Sequence, residues 1–224
     1  MSSRLRSSTR ASTVASESLA ETETKIKGES TRRTTTNRAL RGNELVRLKR
    51  IATGAFLLAI TIVVGTIYFS IHDVIRLYPS SIRAETLKGF SARAEYALRY
   101  QTLLFAWLIF NIYAVIYVRL SRGALNPLVD STEKQVQQIK NILTNSMEQV
   151  FLSSMLQLAF ASFAEPALFK NLIPAVNVVQ LVGRVAFFFG YPYYRTLGYV
   201  LTSLPNTLLL GFNLFKFGSY LGFY

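Results

Sequence analysis

The chain has no cysteine, one histidine and one tryptophan among its 224 residues. Without cysteine there can be no disulfide framework, thiolate metal site or cysteine nucleophile. With His72 as the single histidine, a zinc or haem enzyme is also disfavoured. Negative charge is scarce, with Asp+Glu 12 against Lys+Arg 25. Long stretches carry no charge at all: Ile51 to Ile71, Tyr100 to Val118 and Thr196 to Phe215. Blocks of about 18 or more such residues match the ~30 Å hydrocarbon core of a bilayer at 1.5 Å rise per residue. A soluble domain is thereby excluded, and the fold class read from the sequence is an all-α, polytopic membrane protein.

The charge is unevenly placed. Residues 1–50 carry 12 Lys/Arg and five Glu in a Ser-, Thr- and Arg-rich stretch with few clustered apolar residues. Such a composition cannot offset the entropy of ordering, so a disordered cytoplasmic tail is expected. It does not read as a cleaved signal peptide, because the basic region is too long and the apolar block behind it has full spanning length. Arg47, Lys49 and Arg50 beside the first span are expected to meet anionic membrane lipids. Nucleic acid is not an expected partner, since no folded reader or aromatic platform follows the basic segment.

Five spans are expected, at roughly 50–72, 100–119, 138–163, 170–191 and 196–219. With the N-terminus inside, cytoplasmic segments collect 17 Lys/Arg and the other side seven, as the positive-inside rule requires. The segment from Ala84 to Tyr100 is expected to be a helix at the interface or a prolongation of the second span. Asp130 and Glu133 form a capping-box pattern at the start of the third. His72 and Asp73 read as a solvated pair at a span end. Pro205 should kink the last span, and Gln157 should hydrogen-bond across a helix contact. No inverted repeat or pair of Gly/Pro-broken helices suggests a channel or transporter.

The informative residues are polar groups within the spans. An ionised side chain near a helix centre costs about 2.5–3.5 kcal/mol on insertion scales, so it normally faces protein or a wet cavity. Asn141, Asn145 and Glu148 share one helical face of the third span, with Thr144 beside them. Arg184, Phe187, Phe188 and Tyr191 share a face of the fourth, and Arg195 and Tyr199 lie one turn apart in the fifth. One reading is a buried Glu148–Arg184 ion pair that fixes helix packing. The other is a polar chamber near the cytoplasmic surface. Its guanidiniums would hold carboxylates and its glutamate an ammonium, while an apolar reactant arrives from the lipid.

Asn145-Ser-Met-Glu148, then Gly183-Arg184-Val185-Ala186 with Tyr191, then Arg195-Thr-Leu-Gly-Tyr199 and Leu204-Pro205 together resemble the MAPEG superfamily. These are the membrane-associated proteins in eicosanoid and glutathione metabolism. The resemblance covers about 100–220. The extra first span and basic tail are most like the mattrin-type five-span members. The resemblance implies a four-helix membrane bundle that assembles as a homotrimer and binds glutathione between subunits near the cytosolic face. Carried over by position, it implies that Asn145, Glu148, Arg184, Tyr191 and Tyr199 hold glutathione. Arg195 and Thr196 then become the catalytic pair, stabilising the glutathione thiolate. A cation beside a thiol lowers its pKa from about 8.5 and raises the reactive fraction at neutral pH.

The expected organisation is therefore a tail at 1–47, an extra transmembrane helix and loop at 48–99, and a MAPEG-like four-helix domain at 100–224. The leading expectation is a glutathione transferase or peroxidase acting on lipophilic small molecules or lipids in the ER, Golgi or endolysosomal membranes. Thr144 and Asn141 stand where family members that bind glutathione well usually carry an arginine. This motivates the alternative, a non-catalytic regulator of membrane-protein trafficking or stability. No metal site is expected.

Overall fold

The computed structural model describes residues 42–122 and 134–223. Their regular structure is helical: α1 (Gly42–Ile71), a 3₁₀ turn (Ala84–Leu87), α2 (Phe90–Ser121), α3 (Lys134–Phe163), α4 (Pro166–Gly190) and α5 (Thr196–Tyr220). Three stretches are long and apolar enough to cross a membrane, Val46–Ile71, Phe90–Ser121 and Pro166–Gly190. Helices α3 and α5 match them in length but are interrupted by amides such as Gln149, Gln157, Asn206 and Asn213. The chain is an all-α integral membrane protein.

The helix boundaries depart from the expected spans in physically readable ways. Helix α1 already begins at Gly42, upstream of the expected span start. Of the two readings offered for Ala84 to Tyr100, prolongation of the second span holds from Phe90, where α2 begins, while Ala84–Leu87 form a separate 3₁₀ turn. Glu165 stands before Pro166, the first residue of α4, where the missing N–H of proline costs nothing. The capping box at Asp130 and Glu133, the basic tail before residue 42 and Pro127 lie outside the described residues. Asp73 pairs with Arg76 and Tyr78, while His72 packs its ring on Tyr68. The expected solvated His72–Asp73 pair is thus replaced by a contact of Asp73 with residues three and five positions on.

Four helices meet in one cluster: Tyr96 and Ala97 of α2, Leu156, Phe160 and Ala161 of α3, Phe169, Ile173 and Val176 of α4, and Leu209 of α5. Phe160 and Phe169 stack with ring centroids 5.6 Å apart. Lipid tails are as apolar as these side chains, so close packing and interhelical hydrogen bonds hold the bundle rather than water exclusion. Small residues permit that closeness. A Cβ built on Gly198 would stand 2.3 Å from the Phe187 nitrogen and 2.5 Å from the Gly183 carbonyl oxygen. Helices α4 and α5 therefore touch backbone to backbone.

Pro174 inside α4 shows the same economy of polar groups. It has no N–H to offer the carbonyl four residues earlier, that of Lys170. The buried Tyr96 hydroxyl donates to that carbonyl at 3.0 Å, so the break in the helical ladder is satisfied from α2. Helix α5 continues through Pro205 without interruption. The additional helix α1 contributes Ala59 and Val63, both fully buried, to a cluster with Val179 of α4 and Val200 and Leu201 of α5.

Candidate functional site

Helix α3 carries polar residues at every fourth position from Gln137 through Asn141, Asn145, Gln149 and Ser153 to Gln157. A four-residue step turns about 400°, so this ridge drifts by about 40° each turn and meets different neighbours along its length. At one end Gln157 Oε1 accepts from Gln101 Nε2 of α2 at 3.1 Å and from Asn177 Nδ2 of α4 at 2.9 Å. Gln157 Nε2 donates to Ser153 Oγ, which donates to Gln180 Oε1 at 2.6 Å. Gln180 Nε2 then donates to Asn206 Oδ1 of α5 at 2.6 Å, and Asn206 Nδ2 to Gln149 Oε1 at 3.3 Å. A continuous amide relay thus ties α2, α3, α4 and α5 together. The expected role of Gln157 across a helix contact is observed.

One turn further along each helix lies Arg184, 1% exposed. Its Nη1 donates to Asn145 Oδ1 at 2.8 Å, and its Nη2 donates to Thr202 Oγ1. The Phe187 ring lies 4.9 Å from the guanidinium carbon. All these acceptors are neutral, and Nε is buried without a partner. Among the described residues the ion pairs are Arg76–Asp73 and Arg99–Glu95, so Arg184 has no counter-ion within 4 Å. Since a guanidinium only donates, its contact fixes the Asn145 oxygen toward Arg184 and turns the amide N–H₂ the other way.

The Glu148–Arg184 ion pair considered from sequence is not formed. Glu148 is exposed on α3. Three residues past Asn145 it lies about 60° around the helix, enough to aim it away from α4. Arg195, the residue before α5, is also exposed, and its guanidinium carbon lies 6.0 Å from the Tyr191 ring centroid. Tyr191, half-buried, accepts a hydrogen bond from Asn141 Nδ2 at 3.2 Å. Asn141 Oδ1 accepts from Gln137 at 2.9 Å. Thr196 opens α5 half-buried, and Tyr199 is 45% exposed.

The seven candidate residues therefore fall into three parts. Asn145 and Arg184 touch directly; Tyr191 and Arg195 stack and connect to Asn141; Glu148, Thr196 and Tyr199 make no side-chain hydrogen bond with the described residues. In the single chain Glu148, Arg195 and Tyr199 lie on open surface. Sequence reading missed Thr202, Gln180, Asn206, Ser153 and Gln149. The available signal was the four-residue repeat on α3, which extends well beyond the motif that ends at Glu148.

A family model described as the MAPEG family matches residues 97–215. No curated protein and no solved structure matches the chain.

Proposed function

The chain belongs to the MAPEG family, and on that premise we propose that it is a glutathione-binding membrane protein that conjugates or reduces lipophilic electrophiles. The observation that carries this reading is the exposed carboxylate of Glu148. It lies 14 residues into α3, about 20 Å along the helix. A charged side chain exposed on a helix of a membrane bundle is costly unless protein, ligand or water meets it. A homotrimer with ligand held between subunits provides the first two.

The donor set fits glutathione. Glu148 accepts the ammonium. The Asn145 amide, oriented by Arg184, donates to the peptide or a carboxylate. Tyr191 and Tyr199 offer hydroxyls. Arg195 and the Thr196 hydroxyl stand at the start of α5, where a cation and a donor favour the charged form of a thiol. Glutathione supplies the nucleophilic sulfur, so no protein nucleophile is needed. The apolar reactant arrives by lateral diffusion in the bilayer. An N-terminus in the cytoplasm and residence in an endomembrane accord with the charge distribution and with this use of cytosolic glutathione.

The test is calorimetric titration of the purified protein with glutathione, followed by conjugation of a model electrophile. Glu148→Gln should weaken binding. Arg195→Ala should lower turnover more than affinity. Absence of binding at millimolar glutathione overturns the proposal.

One observation favours a second reading, a non-catalytic MAPEG-fold regulator of membrane-protein trafficking or stability. Asn141 and Tyr191 satisfy each other at 3.2 Å, where a glutathione-binding relative has an arginine to spare. On that reading Arg195→Ala leaves cellular function intact and removal of residues 1–45 abolishes it. The reverse pattern rejects it.

A further inference from the structure

At the opposite end of the bundle, where α1 leaves its apolar stretch and α4 begins, lies a second cleft of about 610 Å³. Its walls carry three cations, Arg76, Arg83 and Lys170, and two carboxylates, Asp73 and Glu85. Asp73 is already engaged: Arg76 Nε and Nη2 donate to its Oδ2 at 3.1 and 3.0 Å, and the Tyr78 hydroxyl donates to its other oxygen. Lys170 is half-buried, its Nζ 4.4 Å above the Tyr78 ring. Neither Lys170 nor Arg83 has a carboxylate within 4 Å among the described residues. One pair is closed, and two cations and one carboxylate remain for a ligand.

The position of the cleft narrows the ligand class. The spanning stretches end at Ile71 and begin at Pro166, so the cleft lies at the border of the apolar slab, where lipid phosphates are found. Its volume is within the usual 300–1,000 Å³ of ligand pockets. Lysine binds phosphate as a point charge and arginine binds it through paired N–H donors. The Lys170 ammonium is held in place by the aromatic face below it, and the Tyr78 ring is itself fixed through Asp73.

We propose that this cleft binds a phosphate ester, with the phosphate held by Arg83 and Lys170 and Glu85 limiting how much negative charge it accepts. The site is independent of the glutathione reading and lies at the other end of the helices. The phosphate can belong to a membrane lipid headgroup or to a soluble ester.

The experiment uses the full chain, delipidated in a neutral maltoside detergent. Glycerol phosphate is titrated calorimetrically, and phosphatidylglycerol retention is followed by native mass spectrometry. The double variant Arg83→Gln/Lys170→Gln should lose about tenfold or more in affinity for the bound probe. Glu85→Gln should tighten binding by a few-fold, about what one like charge removed near the surface provides. This gain cannot come from misfolding, so it tests the site even if the double variant is unstable. Substituting Arg47, Lys49 and Arg50 with Gln should leave the pocket's share of binding unchanged. Binding of both probes identifies the headgroup chemistry as sufficient, and binding of the lipid alone identifies the membrane as the source. The proposal is overturned if neither probe binds, or if binding survives the double substitution and ignores Glu85→Gln.

Discussion

Arg184 holds the side-chain oxygen of Asn145 at 2.8 Å from a position 1% exposed, so the best-buried cation of the bundle acts through its neighbour and not at the surface. The guanidinium fixes which end of the Asn145 amide faces outward. The candidate site therefore begins one residue removed from the charge that organises it.

Replacing Arg184 separates these roles. Arg184→Met removes a desolvated charge but leaves the Asn145 oxygen that it held without its donor, and an acceptor so stranded costs about 1–3 kcal/mol. Its unfolding midpoint in detergent should fall by that modest amount while the bundle still folds. Glutathione affinity should nevertheless fall about tenfold, since the Asn145 amide is no longer held. Arg184→Lys should not restore it, because an ammonium cannot bridge Asn145 and Thr202 as a planar fork does. Unchanged affinity in Arg184→Met would separate Asn145 from the site.

Gly198→Ala should be among the most damaging single-methyl additions. The new Cβ meets the Phe187 nitrogen at 2.3 Å and its Cα at 2.6 Å, and backbone cannot rotate aside. Overpacking of this kind costs about 1–3 kcal/mol and sometimes more. At Gly211, by contrast, a Cβ meets nothing within 4 Å, so Gly211→Ala should be silent or slightly stabilising. Thermal unfolding of the two variants side by side tests the backbone contact between α4 and α5.

Tyr96→Phe should strand the Lys170 carbonyl, at a cost of about 1–2 kcal/mol for a buried acceptor left unpaired. Pro174→Ala restores an N–H that can reach the same carbonyl within the helix. The double variant should therefore recover most of the loss, a coupling that a thermodynamic cycle measures directly. Additive losses would mean that the hydroxyl and the proline are unrelated.

The extent to which this architecture could be read in the sequence follows from which forces act locally. The charge-free blocks reveal α1, α2 and α5, because spanning length is a property of one segment at a time. Helices α3 and α4 are also expected from the sequence, although Glu148 and Arg184 interrupt them. What the segments do not disclose is pairing. Glu148 and Arg184 suggested each other by charge, yet a 60° offset on one helix sends the carboxylate outward and leaves Asn145 and Thr202 as the partners. Beyond Gln157, the Gln101–Gln157–Ser153–Gln180–Asn206 relay is equally hidden, because its members find their partners only once other helices are in place. Tyr96 and Pro174 make the same point, being 78 residues apart in the chain.

The Asp73 carboxyl lies outside the spanning helices and should report on acid. The Tyr78 hydroxyl is the largest influence on it. Desolvation opposes that pull, and the charges of Arg76 and Lys170 add to it, so its pKa falls below the ordinary 3.8. A lowered carboxyl pKa contributes stability above the unfolded value that is lost as pH falls through the folded one. The loop should therefore keep its order down to pH values below 3.8. Tyr78→Phe should move the loss upward. Hydrogen exchange at the Val74 and Ile75 amides, both bonded to the Phe69 carbonyl, reads the change as a ratio between the two proteins.

The burial of Ala59 and Val63 against Val179, Val200 and Leu201 has a consequence for traffic in the plane of the bilayer. An added rod lying along α4 and α5 closes one lateral doorway to the bundle. Along α3, by contrast, Met147 and Phe151 remain bare. On the proposed glutathione reading, a lipophilic reactant would meet that uncovered flank before the one that α1 screens.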